Sequence, residues 1–124
     1  MSRQQKIQTK ETSIPTTTTA QTSSVDFEPD QSYDRIVGIG VVEITDGDQS
    51  TYKIGFEDED GNVYLDLVEK SMLLTGVSVP PKEKYFPLNI PITKGRKYKI
   101  KHSFGSTIAT DALNFITHVV LAKD

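Results

Sequence analysis

The chain has 124 residues, with 14 basic and 17 acidic side chains, a formal net charge of −3, and neither cysteine nor tryptophan. This length suffices for one domain, and the charge does not favour nucleic acid or an anionic membrane as the primary ligand. The lack of cysteine excludes disulfides and thiolate metal sites. No apolar run approaches the about 20 residues that cross a bilayer, and the first residues lack the apolar core of a secretory signal. We therefore expect no signal peptide and no transmembrane segment.

Residues 1–31 differ from the rest of the chain because threonine and serine dominate their composition. Their apolar residues are essentially Ile7, Ile14, Val25 and Phe27. So few apolar side chains cannot offset the entropy of ordering, and the segment is predicted to be an extended, low-complexity N-terminal arm that is disordered alone. The arm is either an incidental tail or a segment that uses these four residues to dock on adjacent proteins.

Residues 32–124 are predicted to form the folded domain, because short β-branched segments alternate there with turn signals. Roughly seven or eight short strands with this spacing predict an all-β fold, a single antiparallel jelly roll or sandwich. Residues 71–74 fit a helical turn or a strand. The strand predictions cover residues 35–44, 51–56, 63–68, 76–79, 85–90, 96–104 and 112–121.

Glycine and proline predict three local features of these strands. Gly38 or Gly40 marks a bulge in the first of them. Asp60-Gly61 lies between two apolar segments and predicts a hairpin with a type I′ turn. Pro87 cannot donate a hydrogen bond to a neighbouring strand, so its strand is expected at a sheet edge or at a bulge.

The segment 96–104 alternates strictly between core-type and lysine residues. Tyr98, Ile100 and Phe104 share one side of the predicted strand, and the lysines share the other. This pattern is typical of a half-buried strand with a solvated polar face. Single-stranded nucleic acid would need exposed aromatic residues for base stacking, so it is not expected as the ligand.

Charge is segregated along the chain. Nine acidic residues and one lysine lie between Glu43 and Glu69, whereas seven basic residues and one glutamate lie between Lys82 and His102. If the two zones lie on opposite flanks of the domain, the basic flank of one copy can bind the acidic flank of the next, and this head-to-tail contact can close into a ring. If both zones lie on one face, their charges neutralise each other within the chain. For the ring, the predicted subunit contacts are Lys97, Lys99 and Lys101 against Glu57, Asp58 and Glu59.

The sequence offers little for catalysis or for binding a metal. His102 and His118 are the only histidines, and each lies in a predicted strand, where a hydrogen-bonded structural histidine is the commoner case. Residues 58–62 resemble part of a calcium-binding loop, but the template puts Phe56 and Leu67 at its first and last ligand positions, which leaves only adventitious cation binding. We expect no cofactor and no enzymatic activity.

Three features of the C-terminal third resemble one known family. They are Tyr85-Phe-Pro-Leu88 followed by Pro91, a basic strand ending in His102 with Gly105 beyond it, and Leu113-Asn-Phe115 in the last strand. Over roughly residues 84–120, the chain is similar to the small penton proteins of tailless, membrane-containing icosahedral phages of the double-jelly-roll lineage, such as tectiviruses.

The resemblance implies a virion protein that assembles as a homopentamer, plugs the fivefold vertices beside the major capsid protein, and seats a spike or receptor-binding protein. The threonine-rich N-terminal segment departs from that family, whose lead-in is shorter.

Two other functions fit the same sequence. A decoration or cement protein would clamp a tailed-phage capsid as a trimer and use the N-terminal segment to reach its neighbours. A carbohydrate-binding sandwich would need exposed aromatic platforms, which the alternation of the strands does not favour.

Overall fold

The computed structural model describes residues 4–49, 51–73 and 85–123. These ranges contain eight β-strands and one short 3-10 helix, and within them no helix is long and apolar enough to cross a bilayer. The predicted strand 76–79, Pro80-Pro81 and the basic residues Lys82 and Lys84 lie outside the described residues. The strands are β1 (Gln4–Ile14), β2 (Gln21–Phe27), β3 (Arg35–Asp46), β4 (Tyr52–Asp58), β5 (Val63–Glu69), β6 (Phe86–Pro91), β7 (Tyr98–Phe104) and β8 (Leu113–Lys123), and the helix is Lys70–Met72.

The strands form two antiparallel sheets of four strands each, which confirms the all-β prediction. One sheet has the order β1-β8-β3-β6 and the other the order β2-β7-β4-β5. The first strand pairs with the eighth, the second with the seventh, the third with the sixth and the fourth with the fifth. Two further pairings, β3 with β8 and β4 with β7, join these ribbons within the sheets.

The core lies between the two sheets and draws apolar residues from all eight strands. The rings of Tyr52 on β4 and Phe115 on β8 stack across the interface, with centroids 5.5 Å apart. On β7 the buried residues alternate with partly exposed ones, as predicted for residues 96–104. Burial of the apolar side chains between the sheets therefore holds the two sheets together.

The structure corrects the predicted boundary at residue 31. β1 pairs along its whole length with β8 and β2 pairs with β7, so this segment supplies a strand to each sheet. Ile14 and Phe27 are 6% and 3% exposed and belong to the core. The prediction of a separate arm was wrong because it counted the segment's own apolar residues and not the partner strands that complete its hydrogen bonds.

Several predicted features of the strands are confirmed. β6, which contains Pro87, is an edge strand, and the β3 register shifts between Ile36 and Gly38. The helix Lys70–Met72 matches the helical turn, one of the two alternatives for residues 71–74.

The hairpin at Asp60-Gly61 is confirmed, but its turn type is not. Only Gly61 has a positive φ, of 87°, and its N–H donates to the Asp58 carbonyl at 3.2 Å. The Asp58 N–H in turn donates to the Asn62 carbonyl at 3.0 Å. The loop therefore has three residues and ends in a left-handed glycine, whereas a type I′ turn needs two positive φ angles.

We expect Gly40→Ala to lower the free energy of unfolding by about 2 to 3 kcal/mol. A Cβ at residue 40 would lie 2.2 Å from His118 Nε2, and this ring is only 2% exposed, so it has little room to move. Urea denaturation measures the change. Gly105→Ala is the matched control, because a Cβ there meets no atom within 4 Å; equal losses in both variants would contradict the packing argument.

Candidate functional site

The acidic and basic zones meet on adjacent strands of one chain. Glu57 on β4 lies directly opposite Lys99 on β7 in the strand register. Lys101 Nζ is 3.8 Å from Glu57 Oε2, and the Glu59 N–H donates to the Lys97 carbonyl at 3.1 Å. These residues of the two zones are therefore neighbours within one chain, which is the alternative in which their charges neutralise each other.

Asp58 is the one predicted contact residue that the structure removes from the surface. It is 1% exposed, and Oδ1 accepts hydrogen bonds at 2.9 Å from the backbone N–H groups of Asp60 and Asn62. Oδ2 accepts from Asn62 Nδ2 at 2.8 Å, Tyr64 Oη at 2.9 Å and Arg96 Nη1 at 2.7 Å. Asp58 thus connects the β4–β5 loop to the segment before β7.

These contacts keep Asp58 ionised. Burial alone would raise the pKa of its carboxyl group, but the hydrogen bonds from Asn62 and Tyr64 outweigh burial and hold the pKa well below its usual range. Sequence reasoning missed Arg96 as its partner. The available signal was that the only arginine in this lysine-rich segment offers the planar donor fork suited to a buried carboxylate.

Residues 58–62, which resemble part of a calcium-binding loop, are arranged around Arg96. Its guanidinium contacts Asp58, and a second nitrogen lies 3.4 Å from Asp60. Within the described ranges, no group of three or more histidine or acidic side chains is placed to hold a metal ion.

The residues near His102 in the sequence are engaged elsewhere in the fold. Ser103 Oγ accepts a hydrogen bond from Thr22 Oγ1 at 3.2 Å, and Ser106 Oγ donates to Gln49 Oε1 at 3.1 Å. Gln49 is itself buried and also bonds the Ser106 backbone. These side chains fix the loop after β7 to the loop after β3.

Both histidines are buried within their strands, as the sequence indicated for their location. His102 Nδ1 and His118 Nε2 nevertheless have no hydrogen-bond partner. Burial lowers the pKa of both imidazoles, so both are neutral near pH 7.

We expect stability to fall as the pH drops below about 6.5. Below that value histidine is protonated in the unfolded chain, whereas His102 and His118 stay neutral in the folded chain because burial lowers their pKa. The free energy of unfolding therefore decreases as the pH falls from about 6.5 towards the lowered pKa values of the folded state.

Asp48 titrates at lower pH, because hydrogen bonds from Thr110 and Ala109 lower its pKa to about 2. Urea denaturation across this range measures the slope, and a variant with His102→Gln and His118→Gln should lose it; an unchanged slope would contradict the assignment.

Of the four residues predicted to dock on neighbouring proteins, two are buried in the core and two are partly buried at its edge. Ile14 and Phe27 are buried in the core of their own chain, which leaves neither free to bind a neighbour. Val25 is partly buried and packs against the core, and Ile7 is partly buried on β1. Ile14 and Phe27 therefore stabilise their own sandwich, and only Ile7 and Val25 remain partly accessible.

A cleft of about 600 Å³ opens between β1 and β2 at the margin of the sandwich. His102 lies among its lining residues, together with Thr12 from β1 and Ser23 and Val25 from β2. The sequence did not predict this cleft, because both of its walls come from the segment interpreted as an arm.

No protein-family model, curated protein or solved structure matches this chain.

Proposed function

We propose that the sandwich is a jelly roll and that the protein is a non-enzymatic virion component, a pentameric penton protein at the fivefold vertices of a capsid. In this function it contacts copies of itself and the major capsid protein, and it seats a spike. The winding of the eight strands is the observation that carries the proposal.

The pairing of first with eighth, second with seventh, third with sixth and fourth with fifth strand corresponds to one antiparallel ribbon wound into two sheets. Eight strands with this winding are the double Greek key of jelly rolls, an architecture common in viral capsid proteins and also found in lectins and cupins. The resemblance of residues 84–120 to small penton proteins favours the capsid among these uses.

The outer strands of the two sheets, as the described residues define them, support assembly into a ring. β1 and β2 are the edge strands on one side of the sandwich, and β6 and β5 are the edge strands on the other. Edge strands carry unpaired backbone groups that proteins commonly cover with another chain. Side-by-side packing of copies covers both sides with one repeated heterologous contact, and such a contact closes into a ring when the rotation permits.

The distribution of aromatic side chains makes a carbohydrate platform the weaker alternative. All ten tyrosines and phenylalanines lie in the described part of the chain, and every one of them is buried or partly buried. A trimeric cement protein shares the same edges, and the number of subunits distinguishes it from a penton protein.

Cross-linking of introduced cysteines tests the ring, since the chain has no cysteine of its own. Ser24 on β2 and Asp66 on β5 are exposed residues on the two outer strands of one sheet. With a flexible bis-maleimide, the double variant Ser24→Cys/Asp66→Cys should give a ladder that ends at the pentamer.

Neither single-cysteine variant should form a ladder, because a head-to-tail contact joins unlike residues. Dimers from Ser24→Cys alone would indicate a twofold contact instead and would contradict the ring. A ladder that ends at three would favour the cement protein.

A further inference from the structure

Two large apolar side chains are exposed at the end of the sandwich where β3 extends beyond β6. β6 pairs only with residues 35–39 of β3. Further along β3, the Val41 N–H donates to the Leu73 carbonyl at 2.9 Å, so Leu73, directly after the short helix, takes the place of β6 there. Ile44 on β3 is 52% exposed, and Met72 in the helix is 60% exposed.

The residues around these two side chains extend the apolar surface. Leu73 belongs to the core, whereas its neighbour Met72 is exposed. Val42 and Ile116 lie opposite each other in the register of β3 with β8, and both are only partly buried. We call Val42, Ile44, Met72 and Ile116 the β3 patch.

A largely buried ion pair borders the β3 patch and holds it in place. Lys70 Nζ lies 2.6 Å from Glu43 Oε2, and the Lys70 side chain is only 12% exposed. Lys70 Nζ also lies 4.8 Å from the centre of the Tyr52 ring. These contacts tie the helix that carries Met72 to β3 and β4. The patch is therefore ordered before any partner binds, which reduces the entropy that association costs.

The grouping of exposed apolar residues points to an interaction surface. Among the described residues, the exposed large apolar side chains are Ile44, Met72 and Val63, and two of these three lie in the β3 patch. Apolar residues that are exposed singly, as Val63 is, are ordinary on protein surfaces. A group of them bordered by charged side chains marks a site of association.

The position of the β3 patch favours a second copy of the chain as its partner. The patch lies on the side of the sandwich edged by β5 and β6, which faces the β1 and β2 side of the next copy in the proposed ring. Thr45 and Ser13 both lie opposite Asn114 in the strand register, so the end of β1 has the same height on the other side of the sandwich. A rotation about an axis along the strands keeps that height. It brings the β3 patch of one copy to the exposed Ser13 and Pro15 of the next.

Given the ring proposed above, on which this inference rests, we propose that the β3 patch is the apolar anchor of the contact between copies. It packs against the end of β1 in the next copy, where Pro15 supplies an uncharged ring without a backbone N–H. The Glu43–Lys70 pair lies at the polar rim of this contact.

Dilution of the purified chain, followed by analytical ultracentrifugation, tests this contact. The double variant Ile44→Thr/Met72→Gln keeps similar side-chain shapes but removes apolar surface, so its ring should dissociate at a concentration about tenfold higher than that of the native chain. Ser13→Arg places a charge in the receiving surface and should weaken the ring to a similar extent. All three residues are exposed, so circular dichroism should show the native spectrum for each variant.

Val63→Thr is the matched control, since Val63 is 55% exposed but lies outside the β3 patch, at the start of β5. It should leave the dissociation unchanged, and equal weakening by this variant would overturn the proposal. A ring that the double variant does not weaken would overturn the β3 patch as the anchor and leave the ring itself in place. A ring that Ser13→Arg does not weaken would overturn the end of β1 as the receiving surface. A native chain that is monomeric at every concentration would overturn both the ring and its anchor.

Discussion

Deletion of residues 1–31 is expected to abolish folding of the remaining chain. The deletion removes β1 and β2, one strand from each sheet, together with the core residues Ile14 and Phe27. Loss of core side chains of these sizes alone costs about 2 to 5 kcal/mol each, a large fraction of the about 5 to 15 kcal/mol that stabilises a typical domain. The newly exposed edges of β7 and β8 would also lose their hydrogen bonds. Circular dichroism and thermal denaturation of the truncated chain measure the outcome.

A peptide of residues 1–31 supplied in trans provides the control for this deletion. If the segment acts as two strands of the sandwich, the peptide should restore a cooperative thermal transition. A truncated chain that melts cooperatively on its own, at a temperature close to that of the full chain, would show that the segment is a dispensable arm.

Asp58→Ala is expected to lower the melting temperature by roughly 10 to 20 °C. The substitution removes the acceptor of five hydrogen bonds. It leaves Arg96 without the buried half of its ion pair and Tyr64 Oη without its acceptor. Groups that lose their partners away from water destabilise a fold more than the removal of an exposed ion pair does. Differential scanning calorimetry gives the melting temperature directly.

Asp60→Ala is the control for Asp58→Ala. The Asp60 side chain is 64% exposed and lies 3.4 Å from the same guanidinium, so its removal should shift the melting temperature by no more than a few degrees. Similar shifts for the two variants would mean that Asp58 behaves as an ordinary surface charge.

The strands β3 to β8 could be predicted because they are rich in β-branched and aromatic residues and are separated by turn signals. On β7 alternation records the burial of one side directly, whereas β8 is a nearly continuous apolar segment because residues 117–122 are all buried. The bounds of these six strands differ from the predicted ones by at most two residues. β1 and β2 were missed because they are polar edge strands, in which only a few side chains reach the core. Their partners β8 and β7 lie at the other end of the chain, and nothing local in the sequence records that pairing.

The arrangement of charged residues depended on the same long-range information. Glu57 lies opposite Lys99 because β4 pairs with β7. The composition of the chain does not reveal this pairing, so it does not show which charges are adjacent. The contact between Asp58 and Arg96 joins residues 38 positions apart. The turn at Asp60-Gly61 was located correctly, but its type depends on backbone hydrogen bonds to Asn62 that a two-residue signal does not specify.

The pairing of charges within one chain affects the salt dependence expected of the proposed ring. Because the acidic and basic residues of β4 and β7 face each other within one chain, a ring held by strand edges and apolar contacts should persist at moderate salt. A ring held by opposite charged flanks would dissociate there.

Native mass spectrometry of the purified chain tests the proposed assembly most directly. The proposal predicts a species of five chains at both low and moderate salt. A monomer at every concentration would contradict a self-assembling ring, and a trimer would replace the penton protein with a cement protein.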